Sequence, residues 1–333
     1  SPYLIGSADE LNVMRQALAA HYRLTNDIDL SASVVWNAGL GWAPVSTFSG
    51  TVDGAGFAIR NLTVNRPSVN YQGLFGILNG ATVRDLRLEG VSALGGNYTA
   101  ALAGHATSST IQNILVTGDV RGADYTGGVV GYMSGGNAAQ LSMAGTVRGG
   151  DRTGGIAGQC NLVTSVRHLS ARGTIEGGSY VGGLAGYFTG NSVTTVDIAD
   201  SFSHAAVYGV SDIGGALGYG SYCRGLRCFS TGCVMGTGSN VGGFLGRVGS
   251  SGFDASDCYW DTETSGQAAS ARGTGLTTAQ MLQRSSFAGY NFFTLWQIDE
   301  GADYPVFQNL SAHAPPAALT TDDLAGDGLE VSP

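Results

Sequence analysis

Lysine is missing from all 333 residues: every one of the 16 basic side chains is an arginine. That excludes Schiff-base chemistry, phosphate-loop lysines and lysine–asparagine crosslinks. Charge of either sign is scarce, at 12% of residues, and the balance is −9, so a nucleic-acid or anionic-membrane partner lacks the basic surface it needs. No uninterrupted apolar run reaches the roughly 18 residues of a membrane span. The five histidines, His21, His105, His168, His204 and His313, are scattered, with no HExxH and no nucleophile elbow. No signal peptide is visible, and the Ser1-Pro2 opening reads as the start of a mature piece of something longer.

Glycine, by contrast, occurs 54 times and is periodic. Seven times the chain writes a small residue, two hydrophobic or small residues and a glycine: Gly73-Leu-Phe-Gly76, Ala101-Leu-Ala-Gly104, Gly128-Val-Val-Gly131, Gly155-Ile-Ala-Gly158, Gly183-Leu-Ala-Gly186, Gly215-Ala-Leu-Gly218 and Gly243-Phe-Leu-Gly246. The closing glycines are 28, 27, 27, 28, 32 and 28 residues apart. A fixed period of this length marks a solenoid, in which each repeat buries its apolar face against its neighbours.

Seven residues before the closing glycine stand Asn97, Asp124, Asp151, Ser179, Ser211 and Ser239, short polar side chains suited to a corner through bonds to their own backbone. After the motif come runs with period-two alternation, such as Thr110-Ile-Gln-Asn-Ile-Leu-Val-Thr117, which are strands. Within them Leu86, Ile114, Leu141, Leu169 and Cys228 form one inward file. A third short strand follows, as in Asp119-Val-Arg-Gly122. Three short strands per 27 or 28 residues predict one turn of a parallel β-helix, rising roughly 4.8 Å per coil. The expected fold is therefore all-β, a right-handed parallel β-helix solenoid of eight or nine coils.

The ends differ, as capping segments must. Residues 1–22 are read as an N-terminal cap, with a helix over Ser7–Ala19 placing Leu11, Met14 and Leu18 on one face. Residues 23–265 hold the coils. Residues 266–310 form a C-terminal aromatic cap, with a short helix over Gly275–Leu282 and Phe292, Phe293, Trp296 and Tyr304 as plug, and 311–333 reads as linker.

The anchors, together with Ser256-Asp-Cys-Tyr-Trp-Asp-Thr-Glu-Thr-Ser-Gly266 and Gly275-Leu-Thr-Thr-Ala-Gln-Met281, resemble the GLUG-motif repeats of bacterial secreted and surface proteins. Pro2-Tyr-Leu-Ile5 with Leu24-Thr-Asn-Asp-Ile-Asp-Leu30 is similar to the usual lead-in. Such repeats occur in adhesins, in filamentous-haemagglutinin-like exoproteins and in non-catalytic regions of immunoglobulin A metalloproteases. The resemblance implies a secreted or cell-surface β-helix and transfers no catalytic residue. It leads to the expectation of a non-catalytic module of a bacterial adhesin or exoprotein, not an enzyme, part of a larger chain, serving as rigid stalk or as a face for a surface glycan or protein. A polysaccharide lyase or hydrolase on a β-helix is the alternative, by fold analogy alone. An ice or mineral binder ranks last, because Thr117, Thr146 and Thr174 are too few for a flat threonine row.

Candidate ligand-binding residues are Tyr125, Tyr180 and Tyr208, together with Arg121, Arg148 and Glu176, which share one position in three consecutive coils. Tyr132, Tyr187 and Tyr219 follow the closing glycine and form a second file, with inward packing preferred. No cofactor is expected, with calcium as the alternative: Asp27, Asp29 and Asp53, or Asp254, Asp257 and Asp261, could gather oxygen ligands, though neither group has calcium-loop spacing. Cys228 and Cys258 share the inward file, which leaves a stack of small hydrophobes or a bridge, Cys228–Cys258 or Cys223–Cys233.

Overall fold

The computed structural model describes residues 1–308, so the expected linker 311–333 lies outside the described residues. The chain winds into a parallel β-solenoid of about nine turns. One coil shows the plan, with strands Ala103–Thr107, Thr110–Arg121 and Thr126–Gly127. Each pairs in parallel with its equivalent in the next coil, as Ala103 with Val130, Ile114 with Leu141 and Thr126 with Thr153. The alternating run and the short strand expected after it are one strand, Thr110–Arg121, carried through Gly118 at φ 131°.

Besides Ser108 (φ 48°), two left-handed residues bend this coil, Asn113 (φ 55°) and Tyr125 (φ 58°). Their equivalents stack into two columns. One holds Asp85, Asn113, Gln140, His168, Asp200, Arg227 and Asp257; the other holds Tyr71, Tyr98, Tyr125, Arg152, Tyr180, Asp212 and Asn240. The second column explains the closing glycine of the motif. A Cβ on Gly131 would lie 2.5 Å from the Gly104 carbonyl oxygen and 2.7 Å from that of Tyr125, closer than any side chain tolerates. The opening glycine has a separate reason: a Cβ on Gly155 would come within 2.2 Å of the Gly183 carbonyl oxygen in the next coil.

The polar corner residues do more than turn the chain. Asn97 Oδ1 accepts the backbone N–H of Asp124 at 3.1 Å, Asp124 Oδ1 that of Asp151 at 2.9 Å, and Asp151 Oδ1 that of Ser179 at 2.8 Å. Each corner thus clamps the coil after it, instead of bonding locally two residues on. Buried Thr99, Thr126 and Thr153 close the same corners from inside, donating to the carbonyls of Gly96, Ala123 and Gly150.

The interior is one apolar column running from Ile5 to Trp260. Leu86, Ile114, Leu141 and Leu169 lie in register within it, followed by Ser201 and Cys228. The N-terminal helix is shorter than expected, Ala8–Val13, with Ser7 Oγ accepting from Glu10 N and Leu11 buried. Strand Tyr3–Ile5 pairs with His21–Leu24, so the outermost rung precedes the helix in sequence. At the other end Thr277 caps helix Thr278–Met281 through a full capping box. The aromatic segment caps the solenoid along its flank: Met281, Phe287, Tyr290, Trp296 and Phe307 pack on Phe202, Phe229 and Tyr259, outward residues of three successive coils. Trp296 is fully buried there, whereas Phe293, expected in the plug, is 87% exposed.

Candidate functional site

The left-handed column places five large side chains one above another on one edge of the solenoid. Tyr71 stacks on Tyr98 with centroids 4.8 Å apart and planes 3° from parallel, and Tyr98 on Tyr125 at 4.5 Å. The Arg152 guanidinium continues the stack 4.7 Å from the Tyr125 ring. Beside this column runs the residue after the closing glycine, where His105 stacks on Tyr132 at 4.9 Å and Tyr187 on Tyr219 at 4.3 Å. Arg247 ends the strip, 5.0 Å from Tyr219, 5.3 Å from Tyr180 and 3.4 Å from Asp212. Tyr132, Tyr187 and Tyr219 are thus half-buried on the outside, against the preference for inward packing.

Stacked rings of this kind contribute about 0.5–1.5 kcal/mol per pair beyond their buried area. Their faces are spent on one another, and hydroxyls are engaged too: that of Tyr125 accepts from Arg152 at 2.6 Å and that of Tyr180 from Arg247 at 3.1 Å. Burial, reinforced by the Tyr219 hydroxyl, pushes the Tyr187 phenol up to about 12, and burial holds His105 below its ordinary value. Tyr125 and Tyr180 belong to this strip; Tyr208 does not, standing exposed beside Met235 on another edge.

Arg121, Arg148 and Glu176 stand in one register row, which continues to Tyr208. Arg148 reaches Glu176 through two hydrogen bonds of 2.7 and 3.3 Å, while Arg121 lines a shallow hollow of about 310 Å³ with Asp119.

The acidic candidates do not converge. Asp27 faces Arg60 at 2.7 Å and Arg87 at 3.6 Å, and Asp53 meets Arg84 at 2.5 Å. Asp29 accepts from Asn61 and from Ser31, and these bonds, Asn61 first, hold its carboxyl below the usual range. Asp254 pairs in register with Arg224, Asp257 is the left-handed residue of its coil, and buried Asp261 caps helix Thr262–Ser265 while accepting the Tyr304 hydroxyl at 2.7 Å. Arginines and helix N–H groups thus take up most of these carboxylates.

All five thiols are free. Cys228 and Cys258 are buried neighbours in the inward file, and burial holds the Cys228 thiol far above its ordinary value. Cys223 lies elsewhere in the core and donates to the Phe188 carbonyl; Cys233 is half-buried.

Comparison with known proteins gives the first sign of function. Residues 8–118 match the family described as the M26 IgA1-specific metallo-endopeptidase N-terminal region. Over 99% of its length the chain is 33% identical to halomucin of Haloquadratum walsbyi, and over 92% it is 36% identical to a putative Gly-rich membrane protein of Evansella cellulosilytica. It spans 4% and 44% of those two proteins. A putative immunoglobulin A1 protease from Bacteroides ovatus has the same fold, with a TM-score of 0.58, 19% identity and 92% of each chain covered. An IgA1 protease matches at TM-score 0.52 and 16% identity, over 77% of this chain and 21% of that one.

These findings correct the functional expectation. The family match points to a peptidase, so the reading as an adhesin module with no part in catalysis, and with it the reading as a non-enzyme, is overturned. The polysaccharide-enzyme alternative is not favoured either. The sequence signal was available in residues 8–118, but that segment carries no catalytic motif that spacing alone could expose. A metallo-endopeptidase implies a catalytic metal, and the residues present do not fit one: among the described residues no three His, Cys, Asp or Glu side chains converge, and the whole sequence has no HExxH. Among the described residues no helix is long and apolar enough to cross a membrane.

Proposed function

We propose that this solenoid serves an extracellular M26-type metallo-endopeptidase that acts on immunoglobulin A1 or a similar secreted protein, and that it contributes to hydrolysis by holding the substrate. The observation that carries this reading is the family match over residues 8–118, and the two solenoids from IgA1 proteases support it. Because the described residues assemble no metal-ligand set, the metal-binding chemistry is assigned to parts of the polypeptide other than these. The repeat motif is of the GLUG type, in which the glycines are structural, and the secreted location follows from the same kinship.

The test uses the longest natural polypeptide that contains this chain, loaded with zinc and incubated with immunoglobulin A1. Discrete fragments that disappear on chelation are expected. Deleting the solenoid should then raise KM by about tenfold or more with a smaller change in kcat, the signature of lost substrate binding. Absence of cleavage by the zinc-loaded full-length protein overturns the proposal.

A further inference from the structure

Between the solenoid flank and the returning C-terminal segment lies a cleft of about 630 Å³ that the peptidase reading does not use. One wall is built from three consecutive coils by Arg172, His204 and Thr231. The other comes from the returning segment, with Ile298, Asp299, Asp303 and Val306.

The polar groups have defined roles. The Thr231 hydroxyl has one hydrogen-bond partner among the described residues, His204 Nδ1 at 2.6 Å. With Thr231 donating to Nδ1, the neutral ring carries its own proton on Nε2. That Nε2–H makes no hydrogen bond among the described residues. Arg172 is exposed and has no carboxylate partner among them; its guanidinium sits 5.9 Å from the Phe202 ring. Opposite it, the Asp299 and Asp303 side chains form no ion pair among the described residues. Tyr304 contributes only its ring, because its hydroxyl is committed to Asp261.

A donor pair on one wall, carboxylates on the other and an apolar patch beside them make a complementary set for a molecule carrying both charges. We propose that this cleft binds a small zwitterion of the α-amino-acid or short-peptide class. Arg172 and His204 Nε2–H hold its carboxylate, Asp299 and Asp303 hold its ammonium group, and Ile298 and Val306 receive its side chain.

Calorimetric titration of the chain with leucine and with leucyl-glycine tests this, against N-acetyl-leucine and leucinamide. Saturable one-to-one binding is expected, weakened by about tenfold or more when either charge is capped. Arg172→Gln should weaken leucine but leave leucinamide unaffected, and the paired Asp299→Asn, Asp303→Asn variant should weaken leucine but not N-acetyl-leucine. These residues are exposed, so melting without ligand stays unchanged. No saturable heat with leucine or leucyl-glycine up to about 10 mM overturns the proposal, as does equal binding of the capped compounds. Either failure leaves the peptidase reading standing, since that reading rests on another part of the chain.

Discussion

Arg227 grips Asp200 in the coil before it through two parallel hydrogen bonds, Nε to Oδ1 and a terminal nitrogen to Oδ2, each 2.7 Å long. Both are left-handed bend residues of the same column, so the ion pair ties two bends together, and the Asp200 side chain is only 12% exposed. Removing one partner leaves the other charge poorly solvated. Arg227→Ala, which strands the buried Asp200 carboxylate, should therefore lower the free energy of unfolding by about 3 kcal/mol, read from urea titration. A change below about 0.5 kcal/mol would show that solvent replaces the pair.

The exposed pair Arg148–Glu176 gives the contrasting expectation. Both side chains stand about 40% or more in solvent, where screening and side-chain entropy offset the attraction. Glu176→Gln should leave the melting temperature unchanged by calorimetry.

Gly155→Ala places a methyl group 2.2 Å from the Gly183 carbonyl oxygen and 2.8 Å from Ala171 Cβ, with no flexible side chain to yield. A loss of about 2–4 kcal/mol is expected in denaturant titration, from the strain of spreading two coils. Gly80→Ala is the control, since nothing lies within 4 Å of its Cβ position; there only the left-handed backbone at φ 67° costs, about 1 kcal/mol.

Acid stability should carry the signature of His204. Burial, with Arg172 nearby, pushes its pKa down to about 3 from an ordinary 6.5. The unfolded chain binds this proton near 6.5 and the folded chain only near 3, so the stability conferred by the neutral ring is complete above pH 6.5 and is lost as pH falls toward 3. The slope is about 1.4 kcal/mol per pH unit inside that window. His105 and His168 shift in the same direction. Urea midpoints at pH 7, 6 and 5 should fall more steeply for the wild type than for His204→Gln; parallel lines would refute the assignment.

Thiol labelling separates the cysteine readings. Cys160, Cys223, Cys228 and Cys258 are buried, and burial pushes the Cys160 thiol up to about 12. A disulfide reagent should modify Cys233 alone in the native protein and all five thiols after unfolding. Fewer than five in the unfolded, unreduced protein would reveal a bridge.

The inward file was legible as sequence, because Leu86, Ile114, Leu141 and Leu169 obey a period of two inside a period of about 28 and each position meets its own kind in the next coil. The tyrosine strip was only half legible. Tyr125 and Tyr132 could be assigned to files, but their mutual contact, with tilted rings 5.9 Å apart, depends on a left-handed bend that no residue type announces, tyrosine being an uncommon occupant of that conformation. The flank cleft was not legible at all: Arg172, His204 and Asp303 lie far apart in sequence and meet only because the last segment turns back.

What the sequence by itself determined is the coil, since spacing and small residues dictate which backbones can approach and which faces must be buried. What only the tertiary structure decided is the company each outward side chain keeps. Phe202 and Phe229 sit at outward positions that their own strands would leave in water, and a segment about 60 residues or more downstream covers them with Trp296 and Phe307. Burial there is set by long-range packing, and no local period encodes it.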